Sequence, residues 1–264
     1  MKKVFLVLGV AVFFSACASN APSVGGVGAS METQWESGHF VVGSPDGSVV
    51  VIGVSGRDRS RWEKDVSDVE IAAARADAAR KIAMFHGMSG TVESSHRLGA
   101  SFFDFIFYSQ IELEPAVVDY TRFLERLTYD RNRDVLVFEG GTLVRFRYAA
   151  RVAPVNFVAT VGVDGRPCWV NSTPSLDGHM VAVGFSQNQV WLRDTVMRST
   201  RATAARLIKS ISTTVQTTEV DVVGQGSVTY IHSRSTGNLN GFRVLEFWID
   251  PKNMSVYTLG IARL

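Results

Sequence analysis

The stretch DGSVVVIGVS, Asp46 to Ser55, returns 131 residues later as DGHMVAVGFS, Asp177 to Ser186. Asp46, Gly47, Val50, Gly53 and Ser55 recur as Asp177, Gly178, Val181, Gly184 and Ser186. Each copy is an Asp-Gly turn feeding β-branched and apolar residues, the pattern of a strand buried on both faces. The glycine near each strand's end marks a bulge or a close backbone approach. A repeated strand implies a repeated unit.

Each strand leads to a helix. RADAARKIA from Arg75 aligns with RATAARLIK from Arg201 at an offset of 126. Ile71, Ala74, Ala78, Ile82 and Phe85 trace one helical face, and the same offset gives Met197, Thr200, Ala204, Ile208 and Ile211. Alanine favours helix and lets the axis lie close to a sheet. Gly87 is placed to end the first helix, and Arg75, Asp77 and Arg80 fall on its solvated side. VRFRYAARV from Val144 and VYTLGIARL from Val256 close the two units alike. FRVLEFWID, then a turn at Pro251–Asn253, reads as the first arm of a hairpin. The expected fold is α+β: two tandem homologous modules, each an antiparallel sheet packed by an alanine-rich helix.

The N-terminal region carries an address. Lys2 and Lys3 precede a short apolar run, Val4 to Phe14, then Ser15, Ala16 and Cys17. This is the layout of a secretory signal, with an apolar run too short for the roughly 20 residues that span a bilayer. A cysteine directly behind small residues resembles the bacterial lipobox, which implies acylation of Cys17 and a membrane partner through that anchor. The expected organisation is a signal peptide at 1–16, a lipidated tether at 17–34, a first module at 35–152 and a second at 153–264. With Cys17 acylated, Cys168 has no partner in the chain and reads as a half-buried packing cysteine. The balance of 27 Lys+Arg against 25 Asp+Glu gives no basic excess of the kind that marks a nucleic-acid partner.

The order Pro167-x-Trp169-Val170, alanine-rich helix, Val244-x-Glu246-x-Trp248 and Tyr257-x-Leu259 resembles the LPP-twenty family of bacterial surface lipoproteins. The resemblance covers residues 167–264 well and 35–152 more loosely. It implies a lipid-anchored location in the bacterial envelope, at the outer membrane facing the periplasm, and envelope proteins as partners. It supplies no catalytic residues, and the chain departs from it in its duplication and in an insertion at about 99–134.

No constellation in the sequence asks for catalysis. The five histidines (His39, His86, His96, His179 and His232) have neither helical pairing nor cysteines at zinc spacing. GMSG at Gly87 is not a nucleophile elbow, and no phosphate loop occurs. The expectation is a non-enzyme with no cofactor and no metal. The insertion is distinctive. SFFDFIFY, from Ser101, carries Phe102, Phe103, Phe105, Phe107 and Tyr108, candidates for membrane or partner contact. Beyond it Val117, Tyr120, Leu124 and Leu127 are spaced as an amphipathic helix. Two functions stay open: an envelope lipoprotein presenting repeat modules for a structural or protein-interaction role, and a lipid-binding or membrane-perturbing lipoprotein using 101–127.

Overall fold

Apolar residues on both sides of a strand need a layer on each side, and the second strand of the chain has both. In β2 (Ser48–Gly56), Val49 and Val51 pack with the first long helix, while Ile52 and Val54 pack with the second half of the chain. The computed structural model describes residues 39–41, 48–56, 65–98, 105–117, 119–138, 141–151, 155, 157, 159–162, 165–189, 191–223 and 226–264. Among these residues the protein is mixed α+β, with antiparallel sheets and two long helices.

Helix α1 (Asp68–His86) starts at Ser67 with a capping box. Glu70 donates its N–H to the Ser67 hydroxyl at 3.3 Å, and the Glu70 carboxylate accepts from Ser67 N–H at 2.7 Å. It ends at Gly87, whose φ of +146° suits glycine. Ile71, Ala74, Ala78 and Ile82 are buried, as their spacing predicts. The helix lies so close to β2 that a Cβ at Gly53 would stand 2.0 Å from the Ala74 carbonyl oxygen.

Further along, β8 (His179–Ser186) sits likewise under α3 (Leu192–Ile211), and a Cβ at Gly184 would stand 2.2 Å from the Ser199 carbonyl oxygen. Thr200, Ala204 and Ile208 are buried on α3, whereas Met197 and Ile211, at the ends of the expected stripe, are exposed.

Three sheets complete the fold. The first runs β1-β11-β12-β8, from β1 (His39–Val41), β11 (Arg243–Ile249) and β12 (Val256–Arg263). In the second, β2 pairs β7 (Gly141–Arg151), which also pairs β5 (Leu127–Thr128) and β6 (Val135–Phe138). The third runs β4-β3-β10-β9, from β3 (Met88–Leu98), β4 (Phe105–Pro115), β9 (Thr213–Val223) and β10 (Gly226–Leu239). Each both-face strand pairs the strand that closes its half, β2 with β7 and β8 with β12. The hairpin expected around Pro251 is β11–β12. The expected boundary at residue 152 cuts across two sheets, because β1 pairs β11 and β3 pairs β10.

Several expectations change. Asp77 does not sit in solvent: it accepts the Val54 N–H at 2.9 Å and pairs Lys81, whose ammonium donates to the Ile52 carbonyl at 2.7 Å. Together they occupy the outer edge of β2, and Arg206 likewise donates to the Val183 carbonyl on the outer strand β8. The helix expected over 117–127 shrinks to α2 (Thr121–Leu124). Phe123, outside the predicted stripe, is the buried residue there, stacked on His86, and Leu127 already belongs to β5. The described part of the aromatic run is β4, hydrogen-bonded along β3. Cys168, half-buried in a 3₁₀ turn at Cys168–Val170, is disulfide-bonded instead of the unpaired packing cysteine expected. Cys17, the only other cysteine in the chain, lies outside the described residues.

Candidate interaction surface

Of the residues singled out from sequence, Cys17, Phe102 and Phe103 lie outside the described residues. Phe105, Phe107 and Tyr108 belong to β4, at register positions opposite Arg97, Ser95 and Ser94. The register shifts between Glu93 and Ser94, because Gln110 and Tyr108 are their partners and Ser109 is the extra residue. Such a bulge bends the strand locally. The aromatic residues are thus together on one outer strand.

The sheet that β4 borders has an open, polar face. Ser89 and Thr91 of β3, Glu112 and Glu114 of β4, and Thr236 and Asn238 of β10 line a shallow hollow of about 430 Å³. Strand alternation explains it: these positions point away from α3, and their neighbours point towards it. Gly90 and Gly237 face each other across β3 and β10. A Cβ at Gly90 would meet Ile208 Cδ1 at 2.5 Å, so the glycine lets the helix lie flat against the sheet. Glu112 and Glu114 lie two apart on one strand, and the described residues hold no group of three metal-capable side chains.

The opposite face carries the arrangement closest to catalytic chemistry. Lys209 donates to Ser94 Oγ at 2.5 Å, and Ser94 Oγ lies 2.7 Å from Ser233 Oγ. Burial lowers the Lys209 pKa, so the amine gives up its proton more readily than an exposed lysine. A serine beside such an amine could serve as a nucleophile with its base. Access decides against it. Ser94 is 1% exposed and Ser233 7%, sealed beneath α3, so a substrate has no route to the hydroxyl. The cluster instead joins β3, β10 and α3 by polar contacts. Sequence reasoning missed it because the three residues are far apart in the chain and carry no motif.

Val155, Phe157, Ala159, Trp169, Val170 and Leu176 cover the outside of the first sheet. Trp169 packs there with Val183, Leu245, Trp248, Leu259 and Ile261, and its indole N–H donates to the buried Glu246 carboxylate at 2.6 Å. Trp169 and Glu246, both in the motif order that carries the family resemblance, thus form a structural pair. The two outer strands of the third sheet differ from these covered elements: among the described residues β4 and β9 each have one strand partner. Comparison of the chain with known protein families, curated proteins and solved structures finds no match.

Proposed function

We propose that this protein is a non-enzymatic lipoprotein of a bacterial envelope, anchored through acylated Cys17, whose two repeat modules bind another envelope protein. The observation that carries the interaction role is the β4-β3-β10-β9 sheet, with an outer strand at each end and an open polar face. Such a strand offers unpaired N–H and C=O groups to an extended partner segment. The repeat reading is supported by the parallel glycine–helix approaches at Gly53 and Gly184, and by the matched β2–β7 and β8–β12 pairings. The resemblance to the LPP-twenty lipoproteins and the sequence around Cys17 support the anchor.

The Cys17 sulfur can carry a thioether or a disulfide, not both, and the proposal commits to the thioether. Palmitate labelling of cells should mark the wild-type protein and leave Cys17→Ser unmarked. The variant should be released from membranes by a high-salt wash that leaves the wild type bound, because multiple acyl chains, at roughly 0.8 kcal/mol per buried methylene, hold what a single contact does not. Label retained by Cys17→Ser, or a Cys17–Cys168 disulfide in the mature protein, would sink the lipoprotein reading.

A further inference from the structure

Four arginines surround the short helix α2. Arg75 and Arg80 come from α1, Arg122 and Arg126 from the α2 segment. Each guanidinium lies over an aromatic ring. Arg75 is 5.5 Å from the Tyr129 centroid, Arg80 5.5 Å from Tyr120, Arg122 4.9 Å from Phe123 and Arg126 5.7 Å from Tyr148. Arg75 also donates to the Leu124 carbonyl at 3.2 Å, and Arg126 donates to the Tyr148 hydroxyl at 3.3 Å. Stacking fixes the plane of a guanidinium and leaves its N–H edge open to an incoming anion.

Four other arginines spend that edge on carboxylates. Arg131 pairs Asp68, Arg145 and Arg147 pair Asp134, and Arg234 lies near Glu93. None of the four around α2 forms a salt bridge among the described residues, although exposed Glu125 sits on the same segment and the charge of Arg122 helps hold the Asp119 pKa down. Asp119 accepts instead from the N–H and hydroxyl of Thr121. Arg80, Arg122 and Arg126 are exposed and Arg75 is half-buried. Exposed His86, stacked on Phe123, registers the resulting field: burial and the charges of Arg122 and Arg126 all hold its pKa below the usual histidine value.

We infer that this arginine–aromatic surface docks on the phosphate headgroups of an anionic bilayer. Each of the four charges stands over a different ring, Tyr129, Tyr120, Phe123 and Tyr148, a spread that suits a plane of many phosphates better than a single soluble one. Tyrosines among them have the amphipathic character of interfacial residues. The choice of a bilayer rests on the proposed anchor, which would hold the module beside one; an acyl chain and a basic patch together anchor better than either alone.

The test uses the full chain carrying Cys17→Ser, so acylation contributes nothing and failure of the lipoprotein reading leaves the result intact. Vesicles of one part phosphatidylglycerol to two parts phosphatidylcholine are compared with pure phosphatidylcholine by flotation. The parent should float with the anionic vesicles alone, and less so as salt rises. Arg80→Gln with Arg126→Gln should weaken this binding about 10- to 30-fold. Arg198→Gln with Arg201→Gln, an equal charge change at exposed sites on α3, should leave it unchanged. Arg80→Lys with Arg126→Lys should retain most of it, which separates charge from folding. Equal binding to neutral vesicles, or equal loss in both glutamine pairs, would overturn the assignment. So would competition by inorganic phosphate at constant ionic strength, since that would mark a discrete anion site.

Discussion

Replacing Asp134 by alanine should lower stability by about 3–5 kcal/mol, the usual cost of breaking a buried ion pair from one side. Asp134 is fully buried and Arg145 is 7% exposed. One carboxylate oxygen accepts from Arg145 Nε at 2.7 Å and from its Nη2; the other accepts from Arg147 at 3.0 Å and from the Asp130 N–H at 2.8 Å. Alanine removes that carboxylate and leaves the Arg145 charge in place. Chemical denaturation of the variant beside wild type measures the loss. Asp134→Asn should cost less, because an acceptor oxygen remains.

The same pair sets an acid limit. Burial pushes the Asp134 carboxyl up, but hydrogen bonds from Asp130 and Arg145 and the charges of Arg145 and Arg147 outweigh it, so its pKa is lowered. The folded state therefore binds this proton less tightly than the unfolded chain, whose aspartates titrate near about 3.9. The stabilisation is complete above that pH and is lost as pH falls through the lower folded value. Asp134→Asn should show a shallower acid limb in stability against pH. An unchanged limb would mean that other carboxylates set it.

Gly53→Ala should be nearly as damaging, although it adds one methyl group. The new Cβ would stand 2.0 Å from the Ala74 oxygen and 2.7 Å from its carbonyl carbon. Both are backbone atoms, so the whole of α1 must back away from β2. Overpacking of this kind costs about 1–3 kcal/mol, and rigid neighbours put Gly53 at the upper end. Gly56→Ala, in the same strand, meets Arg193 Cβ at an ordinary 3.5 Å and should cost about 0.5 kcal/mol or less. Equal denaturation midpoints for the two variants would show that α1 is free to shift.

That glycine is also the most legible point of the sequence. Val49, Val51, Ile52 and Val54 announce a strand with a layer on each side, and Gly53 announces the close approach. The helices are legible through alanine spacing and the Gly87 stop. The third sheet is not. MSGTVESSHRL is short of large apolar residues, because α3 packs on one of its faces and the polar hollow lies on the other. The spacing of Val117, Tyr120, Leu124 and Leu127 fits a helix, but β7 offers Leu127 a strand to pair with, and α2 stops after four residues. Neither the sealed Ser94–Lys209 contact nor the arginine surface has a local signature. Arg75 and Arg80 meet Arg122 and Arg126 only because α1 and α2 dock.

The ladder between β3 and β10 has a kinetic consequence. Its Ser94 and Ser233 are 139 residues apart in the chain, yet their strands pair without interruption from Met88–Leu239 to Leu98–Thr229. Pairing of such high contact order is slow, since loop closure precedes any reward. A chain emerging N-terminus first holds β3 with one edge bare until β10 arrives, and a bare edge recruits other chains. Two fragments cut after residue 152 should therefore aggregate separately and recover soluble, folded protein when refolded together. Independent folding of either fragment would show that β3 tolerates the wait. The halves that look alike in sequence thus share a ladder, since β3 of the first takes β10 of the second as its neighbour.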